Sequence, residues 1–131
     1  MSTLFHIVCT SVISASAHPN HVVDSARIAR NRHESADITG VMAFDGWRFL
    51  LYLEGEEDRV SEMVAALQRD PCHQAFTILH KASFDGPRRF RDWSSGYPID
   101  AGDDTLRRVS QLTGEEALRA LEAALPQLYL G

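Results

Sequence analysis

The chain has 131 residues, 44% of them hydrophobic, with a formal net charge of −5. That length fits one domain with its own core, and the acidic balance argues against general nucleic-acid binding, which needs a basic footprint to displace counterions. No apolar run approaches a membrane span, and no basic segment leads into an apolar block as in a secretion signal. Two cysteines, Cys9 and Cys72, make no disulfide framework, so the chain reads as cytoplasmic with reduced thiols. Residues 3–12, TLFHIVCTSV, are rich in β-branched and aromatic types and predict a first strand. Phe5, Ile7 and Cys9 fall on one face; Leu4, His6 and Val8 fall on the other. The small, polar SASAHPNH segment predicts a loop. Residues 20–33 predict a helix with Val22, Val23, Ala26 and Ala29 along one side.

ITGVMAFDGWRFLLYLEG predicts two strands joined at Asp45-Gly46, a hairpin signal. In the second of them Phe49, Leu51 and Leu53 point one way and Leu50 and Tyr52 the other. Both faces are apolar, which predicts a central strand covered on each side. A second helix follows. Glu56, Glu57 and Asp58 suit the positive end of its dipole, and Val60, Met63, Val64 and Leu67 repeat at helical spacing. QAFTILHKASF predicts a fourth strand, and the turn-rich DGPRRFRDWSSGYPID a short fifth around Trp93. Leu106 and Val109 share a face of a short helix. Thr113 and Glu116 form a capping box opening a last helix with Leu118, Leu121 and Leu125 inward. The order β-α-β-β-α-β-β-α-α predicts an α+β, ferredoxin-like β-α-β-β-α-β core with a five-stranded mixed sheet. The first two helices would lie on one face and the C-terminal pair on the other.

DITGVMAFDGWRFLLYLEGEEDRVSEMVAALQRDPCH, followed by RRFRDW, resembles the BLUF family of bacterial blue-light sensors. The matching elements are Ile38-Thr39-Gly40, Leu53-Glu54-Gly55, Arg69-Asp70, His73 and the Arg89-Phe90 to Trp93 spacing. The resemblance implies a flavin, usually FAD, held between the first two helices. It also implies a sensory core over 1–98 and a C-terminal helical cap of the same domain over 99–131. The family's photochemistry uses a tyrosine on the first strand and a glutamine on the third. The corresponding positions here are Cys9 and Leu51. Position 95, often methionine, is Ser95, and the arginine usual before His73 is Cys72. The asparagine that contacts the flavin is replaced by His33, preceded by Arg32, with Asn31 nearby but off register. If flavin is retained, Asn31, His33, Asp70 and His73 are its candidate contacts. Trp93 lies in the region that the resemblance associates with signal output.

Leucine has neither donor nor acceptor, so it cannot relay a hydrogen-bond switch, and a thiol is a poor substitute for a phenol. A flavin's polar ring edge left without partners costs about 1–3 kcal/mol per group. The expectation is a BLUF-type sensory domain without the photocycle, with weak or lost FAD binding, that acts through contacts with itself or a downstream regulator protein. One alternative is a dark or redox-responsive form that still binds FAD. Another is an unrelated small enzyme on a ferredoxin-like scaffold, although no base–nucleophile pair appears at useful spacing. Neither CxxC nor HxxxH spacing occurs, which argues against a metal site. Arg88, Arg89 and Arg91 read as a solvated basic loop. The apolar tail LPQLYLG is suited to docking on the domain or on a second copy, so a homo-oligomer is expected.

Overall fold

The computed structural model describes residues 3–16, 19–99 and 104–130; inside the first helix the side chains of residues 19, 21, 22, 25, 28, 29 and 32–34 lie outside that description. The elements are β1 (Leu4–Ile13), α1 (Pro19–Ala36), β2 (Thr39–Phe44), β3 (Arg48–Gly55), α2 (Glu57–Arg69), β4 (His73–Phe84), β5 (Trp93–Pro98), α3 (Thr105–Val109), α4 (Gly114–Ala124) and β6 (Leu128–Leu130). They build one mixed sheet in the order β4-β1-β3-β2-β5-β6. β2 and β5 run parallel; the other pairs are antiparallel. The ferredoxin-like core is as the periodicity predicts, and the sheet has six strands rather than five. The sixth is the apolar tail, which pairs with β5 through Gly96↔Leu130 and Pro98↔Leu128.

β3 is central, and every residue from Phe49 to Gly55 is buried. Its two faces feed two separate cores. Phe49, Leu51 and Leu53 join Ile7, Cys9 and Met42 beneath α2, which contributes Val60, Met63, Val64 and Leu67. Leu50 and Tyr52 join Val8 and Val41 beneath α3 and α4, which supply Leu106, Val109, Leu118 and Leu121. α1 seats differently. Ala26 and Ala36 are only partly buried, and Val23, expected inward, faces solvent. Val22 and Ala29 lie outside the described side chains.

Local chemistry sets the connections. Asp45 turns the β2–β3 hairpin by accepting from the backbone N–H groups of Trp47 and Arg48 at 2.9 and 2.7 Å. Gly46 takes the positive φ that the turn needs. Thr113 is the N-cap of α4, but its side chain makes no capping bond. The expected box is not formed, and the following Gly114 has a positive φ.

At Gly40 the backbone of β3 leaves no room for a side chain on β2. A Cβ there would lie 1.9 Å from the Tyr52 carbonyl oxygen, at φ +151. That oxygen belongs to the backbone of the central strand and has little freedom to move. Gly40→Ala is therefore expected to lower the unfolding free energy by about 2–4 kcal/mol, read from the midpoint of chemical denaturation. A midpoint equal to that of the unsubstituted chain would show that the two strands can part without cost.

Candidate functional site

Strand pairing assembles a straight row of side chains across the helix-covered face. Cys9 lies opposite Ile78 on β4 and Leu51 on β3. Leu51 lies opposite Met42 on β2, and Met42 opposite Ser95 on β5. The three positions singled out in the sequence, Cys9, Leu51 and Ser95, thus share one rung, Ile78–Cys9–Leu51–Met42–Ser95. Cys9 and Leu51 have no exposed surface. Burial pushes the Cys9 thiol far above its ordinary range, so it stays protonated. The neighbouring rung is Ile7–Leu53–Gly40–Trp93, and the Trp93 ring is buried in the same core. Among the described residues, the Trp93 indole N–H and the Ser95 hydroxyl are buried without a hydrogen-bond partner.

The other sequence candidates are not brought onto this row. Asn31 is exposed on α1, and the His33 side chain lies outside the described residues. Asp70 ends α2, and its carboxylate accepts from the Cys72 N–H at 2.9 Å. His73 is buried at the start of β4, where its Nδ1 meets the Ser11 hydroxyl at 2.7 Å and its ring tilts against Phe49. Burial lowers the His73 pKa, opposed by the Asp70 charge. Among the described residues no three His, Cys, Asp or Glu side chains gather as a metal site. No described helix is long and apolar enough to cross a membrane.

The opposite face holds a polar network that the sequence reading passed over. Glu54 is fully buried, and all its bonds come from the protein. Oε1 accepts from the Tyr52 hydroxyl at 2.8 Å and the Arg89 N–H at 2.9 Å. Oε2 accepts from the Thr39 hydroxyl at 2.8 Å and the Phe90 N–H at 2.9 Å. Because Tyr52 donates to Glu54, its oxygen accepts from His6 Nδ1 at 3.2 Å, which fixes that histidine as the Nδ1–H tautomer when neutral. Burial first, and then the bond to Glu54, push the Tyr52 phenol far above its usual range. The basic loop is correspondingly engaged. Arg88 bonds Thr39, the Glu54 carbonyl and Asp37, and Arg89 pairs with Glu122 of α4 at 2.6 Å. The only clue in the sequence was a carboxylate inside an apolar strand.

Comparison with known proteins follows the same outline. The profile of the BLUF family, sensors of blue-light using FAD, matches residues 4–96. The blue light- and temperature-regulated antirepressor BluF of Escherichia coli (strain K12) is 35% identical over 52 residues, which are 40% of this chain and 13% of that protein. BlsA in its photo-activated state superposes with a TM-score of 0.73 at 20% identity, covering 88% of this chain and 89% of that one. Klebsiella pneumoniae BlrP1 with FMN and cyclic diGMP gives a TM-score of 0.61 at 25% identity, over 67% of this chain and 23% of that one. This chain therefore spans only a small part of the antirepressor and of BlrP1.

A flavin implied by that likeness needs polar partners along the helix face. Cys9 and Leu51 do not fit that need: one is a buried thiol and the other a hydrocarbon. Asp70 and His73 already have partners within the chain. The buried polar groups left over on this face are those of Trp93 and Ser95.

Two outcomes test this geometry. Glu54→Ala strands four buried donors and is expected to cost at least about 3 kcal/mol, with Glu54→Gln milder, in denaturant titrations at neutral pH. Separately, His6 and His73 are both held below the ordinary histidine value of 6.5, chiefly by burial. The unfolded chain then binds more protons than the folded one once pH drops under that value. Stability is complete above it and declines as pH falls, by at most about 1.4 kcal/mol per pH unit for each histidine. Ring-proton NMR titration of both histidines should give midpoints below 6.5; a midpoint above it for either would contradict the assigned burial.

Proposed function

The chain belongs to the BLUF family, and from that premise we propose that it is a sensory and regulatory domain acting through protein–protein contacts, without the family's blue-light photocycle and with weak or lost FAD binding. One observation carries the reading: Cys9 and Leu51 face each other on adjacent strands, both fully buried. A light switch of this kind needs a donor and a rotatable amide in contact. Here a protonated thiol meets an isobutyl group, so there is no second hydrogen-bonded arrangement for the side chains to adopt. The flavin would supply the light absorption when bound. The Cys9–Leu51 rung would wall its ring with apolar surface, and Leu51 offers no amide to exchange bonds with it.

Output through protein contact is supported by the relatives, one of which is named as an antirepressor, and the proposed partner is a downstream regulator protein. Self-association belongs to the same reading. β6 closes the sheet as an apolar edge strand, and an open edge is a template for pairing. Retention of flavin through altered contacts is the second reading, favoured by the unpartnered Trp93 and Ser95 groups.

The purified chain, mixed with FAD and illuminated with blue light, is expected to show no red-shifted difference spectrum. Leu51→Gln buries an unpaired amide and should destabilise the FAD-free chain by about 1–3 kcal/mol. Added FAD should recover part of that loss in the variant and little in the unsubstituted chain. A reversible red-shift in the unsubstituted chain would sink the reading.

A further inference from the structure

The sheet face that holds the Glu54 network also brings two histidines together. His6 of β1 lies opposite Ala82 of β4, and Val8 lies opposite His80. His6 and His80 are therefore diagonal neighbours on one face. Their ring centroids are 5.2 Å apart, with the planes at 51°. On its other side His6 stacks on Phe84 at 4.6 Å and 19°. His6 is buried and His80 is half-buried, so the pair reaches from the core to the surface. The two residues come from separate strands, and no short motif in the sequence signals them.

Three features make the pair suited to a metal ion. First, the Tyr52 hydroxyl takes His6 Nδ1 at 3.2 Å, so the neutral ring keeps its lone pair on Nε2. Among the described residues His6 makes no other hydrogen bond. Second, a metal-binding histidine donates its other ring N–H to a partner that fixes the ring. Tyr52 is such a partner, itself anchored on Glu54 at 2.8 Å. Third, the spacing fits. With metal–nitrogen bonds of about 2.0–2.1 Å, two imidazoles at a tetrahedral angle have ring centres about 5 Å apart. The surrounding charges are mixed. Burial, then His80 and Arg89, lower the His6 pKa, while Glu54 and Glu115 oppose them. The His6 ring is thus neutral, the form that ligates, near pH 7. The Arg89 charge is met by Glu122 at 2.6 Å.

We propose that His6 and His80 together bind a late first-row divalent cation, Zn²⁺ or Cu²⁺, through His6 Nε2 and one ring nitrogen of His80, with water in the remaining positions. Imidazole suits these ions. Among the described residues no group of three His, Cys, Asp or Glu side chains gathers as a metal site, so water completes the coordination. The site uses neither flavin nor the Cys9–Leu51 pair, and it stands or falls apart from the sensory reading.

The test titrates the full chain with Zn²⁺ alone, followed by calorimetry and by ¹⁵N–¹H spectra of the histidine rings. One-to-one binding is expected, with the His6 and His80 ring signals moving together and those of His73 staying in place. His80→Gln should weaken binding more than about tenfold, and Tyr52→Phe about tenfold, as for loss of an outer partner. The doubly substituted His18→Gln, His21→Gln chain should bind as the unsubstituted one does. Binding that His80→Gln leaves intact, or that the double substitution abolishes, overturns the proposal, because the ion then sits elsewhere. So does a titration in which Zn²⁺ leaves the His6 and His80 signals unmoved. Should His80→Gln lower the unfolding midpoint, the ring spectra of the unsubstituted chain decide the matter.

Discussion

The structure depends on the burial of one carboxylate. Moving an ion out of water costs far more than any single hydrogen bond returns, so a buried charge persists only where its acceptor sites are filled. Glu54 meets that condition with two hydroxyls and two backbone N–H groups. The donors come from β2, β3 and the segment just before β5. The carboxylate therefore fastens the β4–β5 connection onto the central strand, and Trp93 begins β5 three residues beyond the last donor, Phe90. The Arg89–Glu122 pair extends the tie to α4. The segment that leads into β5 is thus fastened at two points, to Glu54 of the central strand and to Glu122 of α4.

The central strand keeps two chemistries apart. Residues of β3 with odd numbers enter the apolar core under α2; those with even numbers enter the core under α3 and α4, where the polar chain His6–Tyr52–Glu54 runs. Because the pleat alternates strictly, neither face can borrow a side chain from the other. Leu51 cannot be replaced in its role by Tyr52, its neighbour in sequence, because the Tyr52 phenol points to the opposite face. The phenol is committed elsewhere, held protonated by burial and by its bond to Glu54.

What could be read from the sequence was what repeats. Alternation located β1, β2 and β3, the Asp45-Gly46 turn joined two of them, and the Val60–Leu67 spacing placed α2. The rung Cys9–Leu51 also followed from alternation, because each residue is in phase with its apolar neighbours. β6 was read as a docking tail, since three residues are too few to show a period. The Glu54 network joins residues up to 36 positions apart through backbone N–H groups, which have no side-chain signature. For the same reason the arginines at 88 and 89 looked solvated: their partners, Asp37, Thr39 and Glu122, lie remote in sequence. The capping box failed at Thr113 for a local reason, the positive φ of Gly114.

A switch needs two arrangements of similar free energy, and tight apolar packing supplies one. At Leu51 an isobutyl group without exposed surface sits at the centre of the sheet, where shape alone decides how it packs. Polar capacity on the helix face persists two strands away from Leu51, at Ser95 and Trp93 of β5, whose buried donors lack partners among the described residues. β5 is also the strand that the Glu54 tie positions and that β6 borders. A group that bonded to those donors would therefore touch the strand whose preceding segment is tied both to Glu54 and, through Arg89 and Glu122, to α4.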